Sequence, residues 1–162
     1  MPKKNHNVIN MKRVYLLLVY TVFFMLNQKC KVQDLSKDNL LISLEKTACM
    51  GKCPVYELKI YNNRVAILHA HENLDKKGKY KTRLDKEQVQ YYVDRFTGIE
   101  FFSLEDKYTS HFMDLPTTYI TFQHKGKVKN IKDYDNAPEK LNELEKELEA
   151  LVKDEKWRKI GD

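Results

Sequence analysis

Residues 49–56 read Cys-Met-Gly-Lys-Cys-Pro-Val-Tyr and decide how the first half of the chain folds. Two thiols four positions apart can meet only across a sharp turn, and the intervening Gly51 is the residue type that turns most freely. Pro54 favours extended backbone around it and stiffens the exit from the turn. The segment therefore predicts either a Cys49–Cys53 disulfide loop that fixes the entry into a strand at Val55, or a two-thiol site.

Strand-like alternation extends on both sides of this loop. Alternate apolar positions give each strand one buried face, and Asn62-Asn63 is a turn signal that joins two of the strands as a hairpin. The predicted strands cover residues 40–46, 55–61, 64–71, 79–84, 117–123 and 127–131.

Two segments have helical rather than strand-like periodicity. Asp85, with a glutamine three residues later, forms a capping box at the start of the first helix, and Gly98 is expected to follow its end as the C′ residue. Pro138 opens the second helix, where its missing N–H costs nothing. We expect Glu145 and Glu149 on the solvated face of that helix. Its buried face is predicted to consist of Leu141, Leu144, Leu148, Leu151 and Val152.

The order of these elements, ββββ-α-ββ-α, predicts an α+β fold. We expect an antiparallel sheet of about six strands with two helices packed on one face. Single strands and helices do not alternate, which argues against a doubly wound parallel sheet. Residues 40–158 have the size of one ordinary domain with a single hydrophobic core.

The N-terminal residues 1–29 have the pattern of a secretory signal, because a basic stretch precedes an uncharged apolar run over residues 14–26. The run is short for a membrane-spanning helix, and an uncleaved signal anchor is the alternative. Cys30 comes shortly after this run and suggests lipidation, although the residues directly before it, Asn27-Gln28-Lys29, are not the small residues usual there. A lipid there would anchor the chain to a membrane surface. Residues 30–39 then form a short polar tether.

Overall charge gives no support to nucleic-acid binding. The full chain has a net charge of +6, but residues 1–29 contain five of the 29 basic residues and none of the 23 acidic ones. From Cys30 onward 24 basic residues face 23 acidic ones, so the net charge falls to +1. A nearly neutral domain has no general attraction for polyanions.

The C-x-G-x-C-P-x-Y pattern with Gly51, Pro54 and Tyr56 resembles the signature of an uncharacterised bacterial family, domain of unknown function 6438. Later landmarks follow in the order that this family shows: the helix from Asp85, the Tyr108–Pro116 loop, the Pro138 helix and Trp157. The resemblance implies an exported or lipid-anchored protein of Gram-negative bacteria, periplasmic or associated with the outer membrane. It implies no known activity.

The cysteine spacing also resembles the copper-binding loop of Sco-type copper chaperones. Thiolates suit Cu(I), and a histidine would complete such a site. His69 and His71 lie two positions apart on one strand and so face the same side. The thioredoxin-type element order of those chaperones is not found here, however. Alternation also places both histidines on the solvent side of a hairpin, where they need no function.

Catalytic motifs are missing from the sequence. It contains no G-x-S-x-G, no G-x-G-x-x-G and no P-loop, and only five glycines. This favours a non-enzymatic protein without a cofactor, while leaving the question open. The leading hypothesis is an exported envelope domain that binds a partner protein or a small ligand. The alternative is a copper-binding or thiol-redox protein that uses Cys49 and Cys53 with a histidine.

Overall fold

The computed structural model describes Tyr20 and residues 39–162, apart from Met113 and Glu155. The predicted signal segment 1–29, Cys30 and all of the tether before Asn39 fall outside this described part, except Tyr20. The strands and helices below belong to one compact unit, residues 34–162. In the part of the chain that the structure describes, no helix combines the length and the hydrophobicity needed to cross a membrane.

The described residues form eight strands, two α-helices and one short 3-10 helix. The strands are β1 (Leu40–Lys46), β2 (Val55–Tyr61), β3 (Val65–Glu72), β4 (Gly78–Arg83), β5 (Lys107–Tyr108), β6 (Thr118–His124), β7 (Lys127–Asp133) and β8 (Arg158–Gly161). The helices are α1 (Lys86–Gly98) and α2 (Glu139–Asp154), and the 3-10 helix covers Phe101–Ser103.

All eight strands belong to one sheet with the order β5-β7-β6-β1-β2-β3-β4-β8. Neighbours pair antiparallel, except β5 and β7, which are parallel. The predicted α+β class is confirmed, but the predicted number of six strands is wrong. The two additional strands, β5 and β8, are short and lack apolar alternation, so their sequences carry no strand signal. They are strands because each lies beside an open sheet edge.

One face of the sheet carries the core, as the alternation predicts. In its central row Leu44 of β1 lies opposite Leu58 of β2 on one side and Ile120 of β6 on the other. Both helices cover this face. Phe96 of α1 stacks on Phe122 of β6 with ring centroids 4.5 Å apart. From α2 the core receives the five predicted side chains, all of them buried: Leu141, Leu144, Leu148, Leu151 and Val152.

The start of α1 is predicted correctly, whereas its end is not. The Asp85 side chain accepts from the Gln88 N–H, and the Gln88 side chain accepts from the Asp85 N–H, which completes the capping box. Gly98 is the last helical residue rather than the residue after the helix. The N–H of buried Ile99 closes the last turn by donating to the Arg95 carbonyl. The apolar anchor at position 99 thus carries the helix one residue further than the glycine suggests.

Gly78 should be irreplaceable by alanine because β8 packs directly against it. Its φ is +105°, and a Cβ at this position would lie 2.6 Å from the carbonyl oxygen of Gly161. We expect Gly78→Ala to lower the free energy of unfolding by about 1–3 kcal/mol, measured by chemical denaturation. Gly98→Ala is the matched control: a Cβ there would meet no atom within 4 Å outside its own stretch of helix, so the change should be neutral or slightly stabilising. Equal effects of the two changes would contradict the close packing of β8.

Candidate functional site

The loop with the two cysteines lies at the end of the sheet where β1 stops and β2 starts. Two other connections reach the same end, because β3 stops and β6 starts there: residues 73–77 after β3 and residues 109–117 before β6. We call this the cysteine-loop end. Loops gathered on a rigid sheet are a common place for binding residues.

Hydrogen bonds tie these loops together. The Asn73 side-chain amide donates to the Cys53 carbonyl at 2.9 Å. The Thr47 N–H donates to the Thr117 carbonyl at 3.0 Å, and the Thr117 N–H donates to the Thr47 hydroxyl at 2.9 Å. The cysteine loop is therefore held from both neighbouring connections.

Cys49 and Cys53 are joined by a disulfide with their Cα atoms 5.8 Å apart. Gly51 lies in a bend between the two cysteines. This bend does not use a positive φ, which among the described glycines occurs at Gly78 and Gly126. A Cβ on Gly51 would make only an ordinary 3.8 Å contact with the Cys49 sulfur. What Gly51 does provide is its N–H, which donates to the Cys49 Sγ at 3.2 Å.

Beneath the cysteine-loop end, a row of four polar side chains crosses four adjacent strands. Asp133 lies opposite Thr118, Thr118 opposite Lys46, and Lys46 opposite Tyr56. These positions share the face of the core residues Ile131, Ile120, Leu44 and Leu58, because side chains two apart on a strand point the same way. The polar row, Tyr56-Lys46-Thr118-Asp133, thus lies between the sheet and the helices. Tyr56, Thr118 and Asp133 are buried, and Lys46 is half-buried.

Helix α2 meets the polar row with two carboxylates one turn apart. The Lys46 ammonium forms an ion pair with Glu149, and the Thr118 hydroxyl hydrogen-bonds the Glu145 carboxyl. Glu145 is 8% exposed. The expectation that Glu145 and Glu149 face solvent is therefore wrong. Helical periodicity places both residues at the margin of the apolar face. The positive charge of Lys46 on β1 attracts both carboxylates towards the sheet.

We call the polar row together with Glu145 and Glu149 the charged cluster. Three of its buried atoms have no hydrogen-bond partner among the described residues: Tyr56 Oη, Asp133 Oδ1 and Glu145 Oε1. Buried polar atoms are nearly always paired with protein, water or ligand atoms. Three unpaired atoms around one contact between helix and sheet indicate a place that can accept further hydrogen bonds.

Burial shifts the acid–base behaviour of the same groups. It raises the pKa of Glu145 to about 7, and the nearby Asp133 carboxylate acts in the same direction. Burial also raises the pKa of Asp133 and that of the Tyr56 phenol. The pKa of Lys46 is lowered by burial, an effect that the Glu145 carboxylate opposes. Groups perturbed in this way cluster at functional sites more often than elsewhere.

A cavity of about 170 Å³ opens at the Tyr56 end of the polar row. Its apolar wall consists of Pro54, Tyr56, Leu74 and Val152, and its polar lining of Asn73, Asp75, Lys76, Glu149 and Lys153. The Val152 carbonyl, near the end of α2, accepts from Lys76 Nζ at 3.2 Å and from Trp157 Nε1 at 3.1 Å. Tyr56 and Glu149 belong both to the cavity and to the charged cluster. A cavity beside perturbed groups is the default candidate for a binding site.

The two histidines of the copper hypothesis lie on the opposite, open face of the sheet. His71 is exposed and His69 half-buried on β3. Among the described residues, no three His, Cys, Asp or Glu side chains come together in a way that could hold a metal ion. The structure therefore does not assemble Cys49, Cys53, His69 and His71 into one described metal centre.

These features define a class: a single α+β domain whose disulfide loop overlies a buried polar row and a small cavity. The profile of one family, Domain of unknown function (DUF6438), matches residues 40–152. The chain belongs to this family. No curated protein and no solved structure is significantly similar to it.

Sequence reasoning found Tyr56 and the cysteines but missed the residues of the cluster around them. The signal was present in the strands. Lys46 continues the inward series of Ile42 and Leu44, and Asp133 continues the inward position of Ile131. A charged residue at an inward strand position is unusual unless it is paired. Applied to Lys46 and Asp133, this rule indicates a polar row on the inward face of the sheet. It does not identify the partners on α2, Glu145 and Glu149.

Replacing Glu145 should change how stability depends on pH. The folded chain holds the Glu145 proton up to a pKa of about 7, against an ordinary value of 4.5. The protonated Glu145 carboxyl therefore stabilises the folded state fully below about pH 4.5, and this stabilisation is lost as the pH rises through about 7. Between about pH 4.5 and pH 8, we expect the free energy of unfolding of the wild type to fall by about 2–3 kcal/mol relative to that of Glu145→Gln, measured by chemical denaturation.

The control for this measurement is Glu143→Gln, which changes an exposed carboxylate of the same helix. Its pH profile should follow that of wild type. Parallel profiles for wild type and Glu145→Gln would show that the Glu145 carboxyl is not held in a proton-retaining environment.

Proposed function

We propose that the chain is a non-enzymatic binding domain of the bacterial cell envelope, and that it holds a small molecule in the cavity at the cysteine-loop end. Export by the signal over residues 1–29, with a lipid on Cys30, is part of this proposal. An oxidising compartment outside the cytoplasm suits the Cys49–Cys53 bridge.

One observation carries the proposal: the cavity lies where the C-x-G-x-C-P-x-Y segment meets the charged cluster. Pro54 and Tyr56 of that segment form part of its wall, and Glu149 connects it to Lys46. The hydrogen bond from Asn73 to the Cys53 carbonyl fixes the loop that borders the cavity. Such a wall is pre-formed, which lowers the entropic cost of binding.

The cavity's size and lining limit what it can hold. An apolar cavity of about 150 Å³ accommodates a benzene-sized molecule, and this one measures about 170 Å³. Leu74 and Val152 offer apolar contact, whereas Asn73 and Lys153 offer hydrogen-bond donors at the polar lining. A compact, ring-sized apolar molecule with a hydrogen-bond-accepting substituent fits these properties.

Exposed apolar side chains at the same end support its role in binding. Met50 is 80% exposed, Phe112 71% and Leu115 37%. Their loops are held in place: the Tyr134 hydroxyl donates to the Phe112 carbonyl at 2.8 Å and accepts from the Leu115 N–H at 3.3 Å. Apolar side chains fixed in contact with water are typical of surfaces that meet another molecule.

A screen of small ring-containing compounds against the full chain tests the proposal. We expect hits whose NMR shift changes centre on Tyr56, Leu74 and Val152. Leu74→Trp should fill the cavity and abolish binding. Val128→Trp places the same side chain at a 63% exposed position of β7 and should leave binding unchanged. A library without hits at these residues would contradict the proposal, and so would equal binding by Leu74→Trp and wild type.

Thiol–disulfide exchange is the second candidate, and the hydrogen bond from the Gly51 N–H to Cys49 Sγ favours it. Such a bond stabilises a thiolate, so Cys49 would be the better attacking group once the bridge is reduced. Copper binding by the same pair would likewise require reduction of the bridge.

The two cysteines should behave differently if exchange takes place. With Cys49 as nucleophile, Cys53→Ser should accumulate mixed disulfides with envelope proteins, and Cys49→Ser should accumulate far fewer. Non-reducing electrophoresis followed by mass spectrometry measures both, with Cys30→Ser present in each chain. Equal trapping, or none, would remove this candidate and leave the bridge a structural brace.

A further inference from the structure

His69 and His71 form a pair on the open face of the sheet, away from the polar row. They are two residues apart on β3, so their Cα atoms are about 6.6 Å apart in an extended strand. Their ring centroids, however, are only 3.9 Å apart, with an interplanar angle of 45°. The side chains therefore lean towards each other instead of spreading into solvent.

This separation suits two ligands of one metal ion. Metal–imidazole bonds are about 2.0–2.1 Å long, so two nitrogen ligands of one ion lie at most about 4 Å apart. Rings 3.9 Å apart can bring one nitrogen each within that limit. A hollow of about 490 Å³ opens beside the pair and leaves room for the ion and its water ligands.

We propose that His69 and His71 chelate one divalent transition-metal ion on the open face of the sheet, with Cu²⁺ bound most tightly. Imidazole suits copper, nickel and zinc, and Cu²⁺ forms the strongest complexes of the divalent series. The site offers two protein nitrogens and leaves its other positions to water, in agreement with the absence of a three-residue cluster in the described part of the chain.

The charges around the pair act in both directions. Lys79 of β4 lies directly opposite His69. The lysines Lys59, Lys79 and Lys159 repel a dication, whereas Glu57, opposite His69 on β2, and Asp162, which lines the hollow, attract one.

The metal site and the proposed ligand cavity are independent of each other. Because strand side chains alternate between faces, Tyr56 and its partner Ala70 point towards the helices, whereas His69 and His71 point away from them. Loss of metal binding would leave the cavity intact, and the reverse also holds.

Titration of Cu²⁺ into the full chain carrying Cys30→Ser tests the proposal, with calorimetry for affinity and electron paramagnetic resonance for the ligands. We expect one ion per chain with coupling to two nitrogens. His69→Gln and His71→Gln should each weaken binding at least about tenfold and reduce the coupled nitrogens by one. Both positions accept polar side chains at the surface, so circular dichroism should show unchanged folding.

His6→Gln, His111→Gln and His124→Gln are the matched controls, since they remove the other three histidines one at a time. Each should retain wild-type affinity. Lys79→Gln should bind Cu²⁺ as tightly as wild type or more tightly, because it removes a repelling charge. Wild-type affinity in His69→Gln or His71→Gln would overturn the proposal, as would weaker binding in Lys79→Gln.

Discussion

The pairing of β1 on both sides is the constraint on which the rest of the structure depends. Leu44 lies opposite Leu58 of β2 and Ile120 of β6, so β1 is central and its inward residues cannot leave the core. Lys46 is the last of these residues. Its ammonium group must therefore find a carboxylate between sheet and helix, since an unpaired charge there would cost several kcal/mol. Glu149 of α2 supplies that carboxylate.

Helix α2 is held by charged contacts on two sides, which fixes its position along the sheet. Towards the sheet, Glu149 meets Lys46. Towards α1, Glu147 accepts from Arg95 Nε at 2.9 Å and lies 2.7 Å from Arg95 Nη2. Both pairs are partly exposed, so each adds little to the net stability. Together they favour the position of α2 in which Val152 lines the same cavity as Leu74.

Whether an element can be predicted from the sequence depends on whether its own residues or a neighbouring element determine its structure. Elements that bury an apolar face by themselves are predicted well: β1, β2, the core face of α2 and the capping box at Asp85. Elements that exist only through a neighbour are not. Tyr108 is in a strand because β7 lies beside it, and Glu145 is buried because α2 lies across Thr118. Local periodicity carries no information about either contact.

The register also explains why one position of β4 has to be glycine. Across β3 and β4 the polar row ends: Ala70 lies opposite Tyr56, and Gly78, which has no side chain, lies opposite Ala70. A Cβ on Gly78 would lie 2.6 Å from the Gly161 carbonyl oxygen of β8. The packing of β8 against β4 thus depends on this glycine. A larger residue at position 78 would displace β8, and with it Lys159 and Asp162, which line the hollow beside His69 and His71.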